Sequence, residues 1–121
     1  MDATTIGIDL AKNVFHIHVA NPSGKTVFTK RQTRQHFLAF FANFPPCLIG
    51  MEVCSSANYW ARQLTKFGHD VRQISPQFAK PYVQSNKNDY NDAQAICEAV
   101  TRPNVRFAPP KSIEHQDLQA L

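Results

Sequence analysis

Between Thr5 and Arg31 two short breaks divide the chain into three segments, the first of them with apolar residues at every second position. Ile6, Ile8 and Leu10 alternate with Gly7 and Asp9, the period-two pattern of a β-strand. Ala11-Lys12-Asn13 is a tight connection into Val14–Ala20, and Asn21-Pro22-Ser23-Gly24 is a strong turn signal before Lys25–Arg31. Strands joined by turns this short pair antiparallel, so the opening segment predicts a three-stranded meander.

From Thr33 the period changes. Thr33 can cap a helix carrying Phe37, Leu38, Phe40, Phe41 and Phe44, stopped by Pro45-Pro46. Cys47 to Val53 is nearly all apolar, the signature of a strand buried on both faces. Ser55 or Ser56 is placed to cap a second helix, whose Trp60, Leu64 and Phe67 share a face and which Gly68 ends. Val71–Ile74 reads as a further strand, and Pro76 opens a short helix through Val83. Another helix starts around Asp89 to Asp92, with Ala93, Ile96, Cys97 and Val100 on one face, and Pro103 ends it. The expected fold is α/β: a mixed five-stranded sheet with helices on its faces. Gln84 to Asp92 is polar, proline-free and has little to bury, so it is expected to be unordered without a ligand.

The chain has 121 residues, 43% of them apolar, which suffices for one domain with a real core. Asp2, Asp9 and Lys12 interrupt any signal-peptide pattern, and nothing approaches the ~20 apolar residues of a membrane span. Cys47, Cys54 and Cys97 lack C-x-x-C spacing and sit in apolar runs, which predicts reduced residues of a cytoplasmic protein. A net charge of +4 suits a polyanionic partner without requiring one.

Two acids stand out within apolar strands. Asp9 ends the first strand and Glu52 ends the buried one. An ionised carboxylate in such a setting must meet a cation or incur a desolvation cost of several kcal/mol. If these strands pair in parallel, their C-terminal ends coincide and the carboxylates converge where open α/β sheets place their chemistry. Asp89 and Asp92, three residues apart, share a helix face and can be laid over the same edge. Taken as a pair, Asp89 and Asp92 are also well suited to helix capping, which alone would be the simpler role. Glu52 has no such alternative, since Leu48 to Val53 offers no other polar group. Four hard oxygen donors on separate elements suit Mg²⁺ or Mn²⁺ rather than Zn²⁺.

These pieces resemble the DEDD insertion-sequence transposases and the related Piv-type DNA invertases. The resemblance rests on Gly7-Ile8-Asp9-Leu10-Ala11-Lys12, Gly50-Met51-Glu52-Val53-Cys54 and Lys87-Asn88-Asp89-Tyr90-Asn91-Asp92-Ala93, with Glu114-His115-Gln116-Asp117-Leu118 trailing. It covers essentially the whole chain in order. It implies a RuvC-like, ribonuclease H-like catalytic domain over residues 1–108, with 109–121 the truncated start of a following helical segment. It implies that Asp9, Glu52, Asp89 and Asp92 are the metal-binding catalytic tetrad. It also implies DNA as substrate, a structured guide RNA as partner in some members, and a homo-oligomer in the full-length protein. Members of the family continue into a C-terminal domain carrying a serine nucleophile, so this chain is expected to be incomplete for the full reaction.

Lys12, Lys80, Lys87, Arg31 and Arg34 are candidates for phosphate contact, although each equally suits an ordinary solvated face. Lys30 joins Arg31 and Arg34 at the third strand's end. Tyr82, Tyr90 and Trp60 are candidates for base stacking, but Trp60 falls on its helix's apolar stripe and is expected in the core. His16 and His18 share a strand face without a third ligand nearby and are expected to be surface histidines. Three other functions compete. A junction-resolvase-type nuclease shares the fold, and a catalytically silent nucleic-acid-binding module would need no metal. A sugar-kinase-like domain is suggested only by Gly7-Ile8-Asp9 and would need a second glycine-rich phosphate loop, which four scattered glycines do not supply.

Overall fold

The computed structural model of the chain describes residues 4–10, 13–83, 89–102 and 107–108, with the backbone alone at 89–91 and 107–108. Three antiparallel strands come first: β1 (Thr5–Leu10), β2 (Val14–Ala20) and β3 (Thr26–Thr33). There follow α1 (Arg34–Ala42), β4 (Leu48–Glu52), α2 (Ala57–Lys66) and β5 (Asp70–Ile74). The short α3 (Pro76–Ala79) runs into a turn of 3-10 helix at Lys80–Tyr82, and α4 (Asp89–Ala99) and a two-residue β6 (Phe107–Ala108) complete the order.

The sheet order is β3-β2-β1-β4-β5-β6. β1 pairs antiparallel with β2 and parallel with β4, β4 pairs parallel with β5, and β6 returns antiparallel along β5. This is the expected ribonuclease H-like α/β architecture, with the short sixth strand added beyond the five predicted. The turn at Asn21–Gly24 is built as its residues suggest. The Asn21 Oδ1 accepts from the backbone N–H groups of Ser23 and Lys25, and Gly24 takes a positive φ of 88°.

Alternation decides which face each residue meets. Ile6, Ile8, Phe15, Ile17, Val19, Ile49 and Met51 point to one face and close a core against Phe37, Phe41, Trp60, Ala61 and Leu64 of α1 and α2. Phe15, Phe37 and Trp60 meet edge to face at 4.7–5.2 Å between ring centroids, the geometry that aromatic quadrupoles favour. Trp60 is therefore a core residue, as expected. His69 ties this layer together: its Nδ1 accepts from the Cys47 N–H and its Nε2–H faces the Phe41 carbonyl at 3.1 Å. In the same layer, buried Gln73 of β5 donates to Asn58 of α2 at 2.9 Å.

The opposite face is covered by α4. A second cluster there joins Ile74, Ala79, Ile96, Ala99 and Val100. α4 can lie this close because β1 and β4 present glycines to it. A Cβ on Gly7 would fall inside the van der Waals shell of the Ala93 carbonyl and the Cys97 backbone, and one on Gly50 would stand 2.9 Å from Val100 Cβ.

Two local expectations need correction, and a third lies outside the described residues. Thr33 and Ser56 occupy the N-cap positions of α1 and α2, but neither side chain makes a capping hydrogen bond. Part of the segment expected to be unordered is helical: α4 begins at Asp89, where the sequence also predicts a helix start, and 84–88 lie outside the described residues. The segment 109–121, expected to open a helix, is also outside them.

The cysteines are free. Burial pushes the Cys47 thiol up to about 11 and the Cys97 thiol up to about 12, whereas Cys54 is exposed. Since the thiolate is the reactive form, only Cys54 is expected to react with an aromatic disulfide reagent in the folded protein. Counting modified thiols before and after denaturation checks this; fast reaction of Cys97 in the native state would contradict the packing of α4.

A carboxylate cleft at the strand ends

The parallel pairing of β1 with β4 aligns Thr5 with Leu48 through Ile8 with Met51, so the next residues, Asp9 and Glu52, occupy neighbouring positions at the C-terminal edge. Ile8 and Met51 face the α1–α2 core. One residue on, Asp9 and Glu52 therefore turn to the α4 face, both partly buried. Strand order and register thus set these two carboxylates at adjacent positions of one sheet edge.

Glu52 lines a cleft of about 240 Å³ together with Pro76, Ala79, Lys80, Val83, Asp92 and Ala95. The cleft is formed between the end of β4, the α3 turn and the first part of α4. It brings Glu52, Asp92 and Lys80 together, three of the residues singled out in the sequence. Asp9 is not among its lining residues and stands one strand over. Asp89 opens α4, one helical turn before Asp92, and its side chain is outside the described residues.

The basic candidates divide. Lys80 is exposed at the cleft. Arg31 lies on β3 across from His16, which in turn lies across from Asp9, so a single transverse row runs Arg31, His16, Asp9, Glu52. Arg34 belongs to the other layer, its guanidinium 5.9 Å from the Trp60 ring centre, and Lys30 likewise sits over Phe40. Those two are across the sheet from the carboxylates. Lys12 and Lys87 are outside the described residues, as is the Tyr90 side chain. Tyr82 has the Arg102 guanidinium over its ring at 5.4 Å, so one face of that ring is already engaged.

The histidines were misplaced by the sequence. His16 and His18 are buried, 8% and 6% exposed, rather than on the surface, because α4 extends over β2 as well as β1. Their alternation with Phe15, Ile17 and Val19 already put them on the face opposite the apolar one. What covers that face is a tertiary fact. His18 lies opposite Gly7, its Nε2 is 3.3 Å from the Thr26 hydroxyl, and burial holds its pKa below the usual imidazole range.

The donor chemistry fits a hard divalent cation: carboxylates from β1, β4 and α4 face one edge, with oxygen as the only ligand atom among them. As placed, no three His, Cys, Asp or Glu side chains among the described residues are grouped closely enough to hold an ion. No helix among the described residues is long and apolar enough to cross a membrane.

Comparison with known proteins gives the chain's family. A family model described as a transposase, of the DEDD type represented by IS110, matches residues 6–121. The transposase for insertion sequence element IS1328 of Yersinia enterocolitica is 48% identical over 120 residues, which is 99% of this chain and 36% of that protein. A probable family 20 transposase of Pseudomonas aeruginosa is 48% identical over 121 residues, 100% of this chain and 36% of that protein. The transposase for insertion sequence element IS1111A of Coxiella burnetii is 43% identical over 120 residues, 99% of this chain and 33% of that protein. The chain thus spans about a third of the length of these curated relatives. The match of model and relatives across the strands and helix that build the cleft shows that the chain belongs to the DEDD insertion-sequence transposase family.

Proposed function

We propose that this chain is the metal-binding catalytic domain of a transposase that acts on insertion-sequence DNA by Mg²⁺- or Mn²⁺-assisted phosphoryl transfer. The observation that supports it best is the register of β1 on β4, which sets Asp9 beside Glu52 under the helix that carries Asp92. Asp9, Glu52, Asp89 and Asp92 would hold the cation. When bound, it supplies Lewis acidity to the scissile phosphate and charge stabilisation to the leaving oxygen. Lys80 would meet the substrate's phosphates at the mouth of the cleft, and Arg31 would do so at the open edge of the sheet. The carboxylates repel phosphate by themselves, so these cations and the bound ion are what make the edge receptive to DNA. The names of the relatives support insertion-sequence DNA as the substrate. A structured guide RNA and self-association in the full-length protein complete the proposed partners, and the cytoplasm is the proposed compartment.

Calorimetric titration of the full chain with Mn²⁺ tests the site, with Asp9→Asn expected to remove the binding heat. DNA binding tests the cations. If Lys80 and Arg31 each neutralise one phosphate, Lys80→Ala or Arg31→Ala lowers the slope of log affinity against log salt by about 0.7–0.9. The same change at Arg34, across the sheet, leaves the slope unaltered. Equal slopes for all three variants would remove Lys80 and Arg31 from the interface.

A further inference from the structure

We propose that His16 is a positioning residue for Asp9, donating a hydrogen bond from its imidazole to the Asp9 carboxylate and thereby fixing how that carboxylate faces the cation. The inference rests on the reading of Asp9 as a metal ligand and adds to it a residue outside the acidic tetrad.

The register carries it. β1 and β2 align Asp9 directly with His16, and Gly7 with His18. Residues directly opposed on an antiparallel pair share a face, with Cβ atoms about 4.5–5.5 Å apart, well within reach of an imidazole to a carboxylate. His16 is also only 8% exposed, under the cover of α4. In such a place a hydrogen bond to a charged acceptor is short and about twice as strong as a neutral one. A ring confined between a sheet and a helix loses few rotamers in making it.

His18 provides the internal comparison. It occupies the same face two residues on, is equally buried, and differs in what lies opposite: a glycine rather than a carboxylate. Its ring stands by the Thr26 hydroxyl, a local structural engagement at the other end of the strand. On the far flank of His16 is Arg31, exposed on an edge strand that α4 does not cover. His16 is thus the buried group between an open basic edge and the acidic site. Partners one layer out from a metal commonly change its affinity by 10–100-fold when removed.

The test compares Mn²⁺ affinity, measured calorimetrically, with thermal stability in the full chain. His16→Leu, which fills similar space without a donor, is expected to weaken Mn²⁺ binding about tenfold or more while the protein stays folded. His16→Gln, which keeps an N–H donor of similar reach, is expected to restore most of it. Wild-type affinity in His16→Leu overturns the proposal, as does an equal loss in both variants, which would mark a packing role. If His16→Leu fails to fold, His16→Asn takes its place, with a donor too short to reach. Asp9→Asn is the reference: if it too leaves Mn²⁺ binding unchanged, the metal reading of the carboxylates fails with the proposal. If it abolishes binding while His16→Leu does not, only the role of His16 is lost.

Discussion

Asp9→Asn or Glu52→Gln, introduced into the full-length protein that carries this domain, is expected to lower DNA strand cleavage by about a thousandfold or more, with the fold retained. Lewis-acid assistance contributes several kcal/mol at the transition state, and each 1.36 kcal/mol is tenfold in rate. Both substitutions keep the shape of the side chain and remove its charge. Neither disturbs the Ile8 and Met51 side of the strands, where the core is packed. Asp70→Asn is the control: Asp70 begins β5, pairs with Arg72 at 3.0 Å and is exposed. It lies at the opposite edge of the sheet from Glu52 in a strand running the same way, and its loss should leave cleavage unchanged. Cleavage measured on a labelled insertion-sequence end, with circular dichroism to confirm folding, reads the difference. Near-normal rates in Asp9→Asn and Glu52→Gln would reject the site.

Gly7→Ala is expected to be the most destabilising single-methyl change in the chain, costing more than about 3 kcal/mol, beyond the usual range for overpacking. Propensity alone points the other way, since glycine inside a strand costs roughly 0.5–1 kcal/mol relative to alanine. Contact decides the sign. The added methyl would overlap the Ala93 carbonyl and the Cys97 backbone of α4, and a helix backbone cannot rotate aside as a side-chain tip can. α4 must lift, which also loosens the Cys97 thiol from the Thr5 carbonyl it approaches at 3.4 Å. A loss of that size in a domain this small lowers the melting temperature by about 12 °C or more. Gly50→Ala meets the Val100 side chain instead and should cost about 1–2 kcal/mol. Because α4 carries Asp92, Gly7→Ala should weaken metal binding along with stability. A melting temperature near wild type would mean that α4 does not sit where the glycine admits it.

The two outcomes show how differently the residues disclose themselves. Ile6, Ile8 and Leu10, or Phe15, Ile17 and Val19, announce a strand and its buried face by period alone. Glu52 announces a site because an acid inside Leu48–Val53 has no local partner to explain it. Gly7 and Gly50 announce nothing by themselves, since a glycine needed for helix contact looks the same in sequence as one in a turn. The sequence points to a surface position for His16 for the same reason. Alternation fixes the face on which a side chain lies, but whether that face is bare or covered depends on a helix more than seventy positions later.

By itself, then, the sequence determined five of the six strands, their antiparallel opening, the helices between them and the acids at two strand ends. Those follow from periodicity, turn residues and the cost of burying charge, all of them local. Tertiary structure alone decided that α4 lies over Gly7 and Gly50, that Glu52, Asp92 and Lys80 share one cleft, and that His16 is shut in beside Asp9. Those depend on how far apart parts of the chain pack, where one backbone's approach to another sets the distances and no residue's own preference records it.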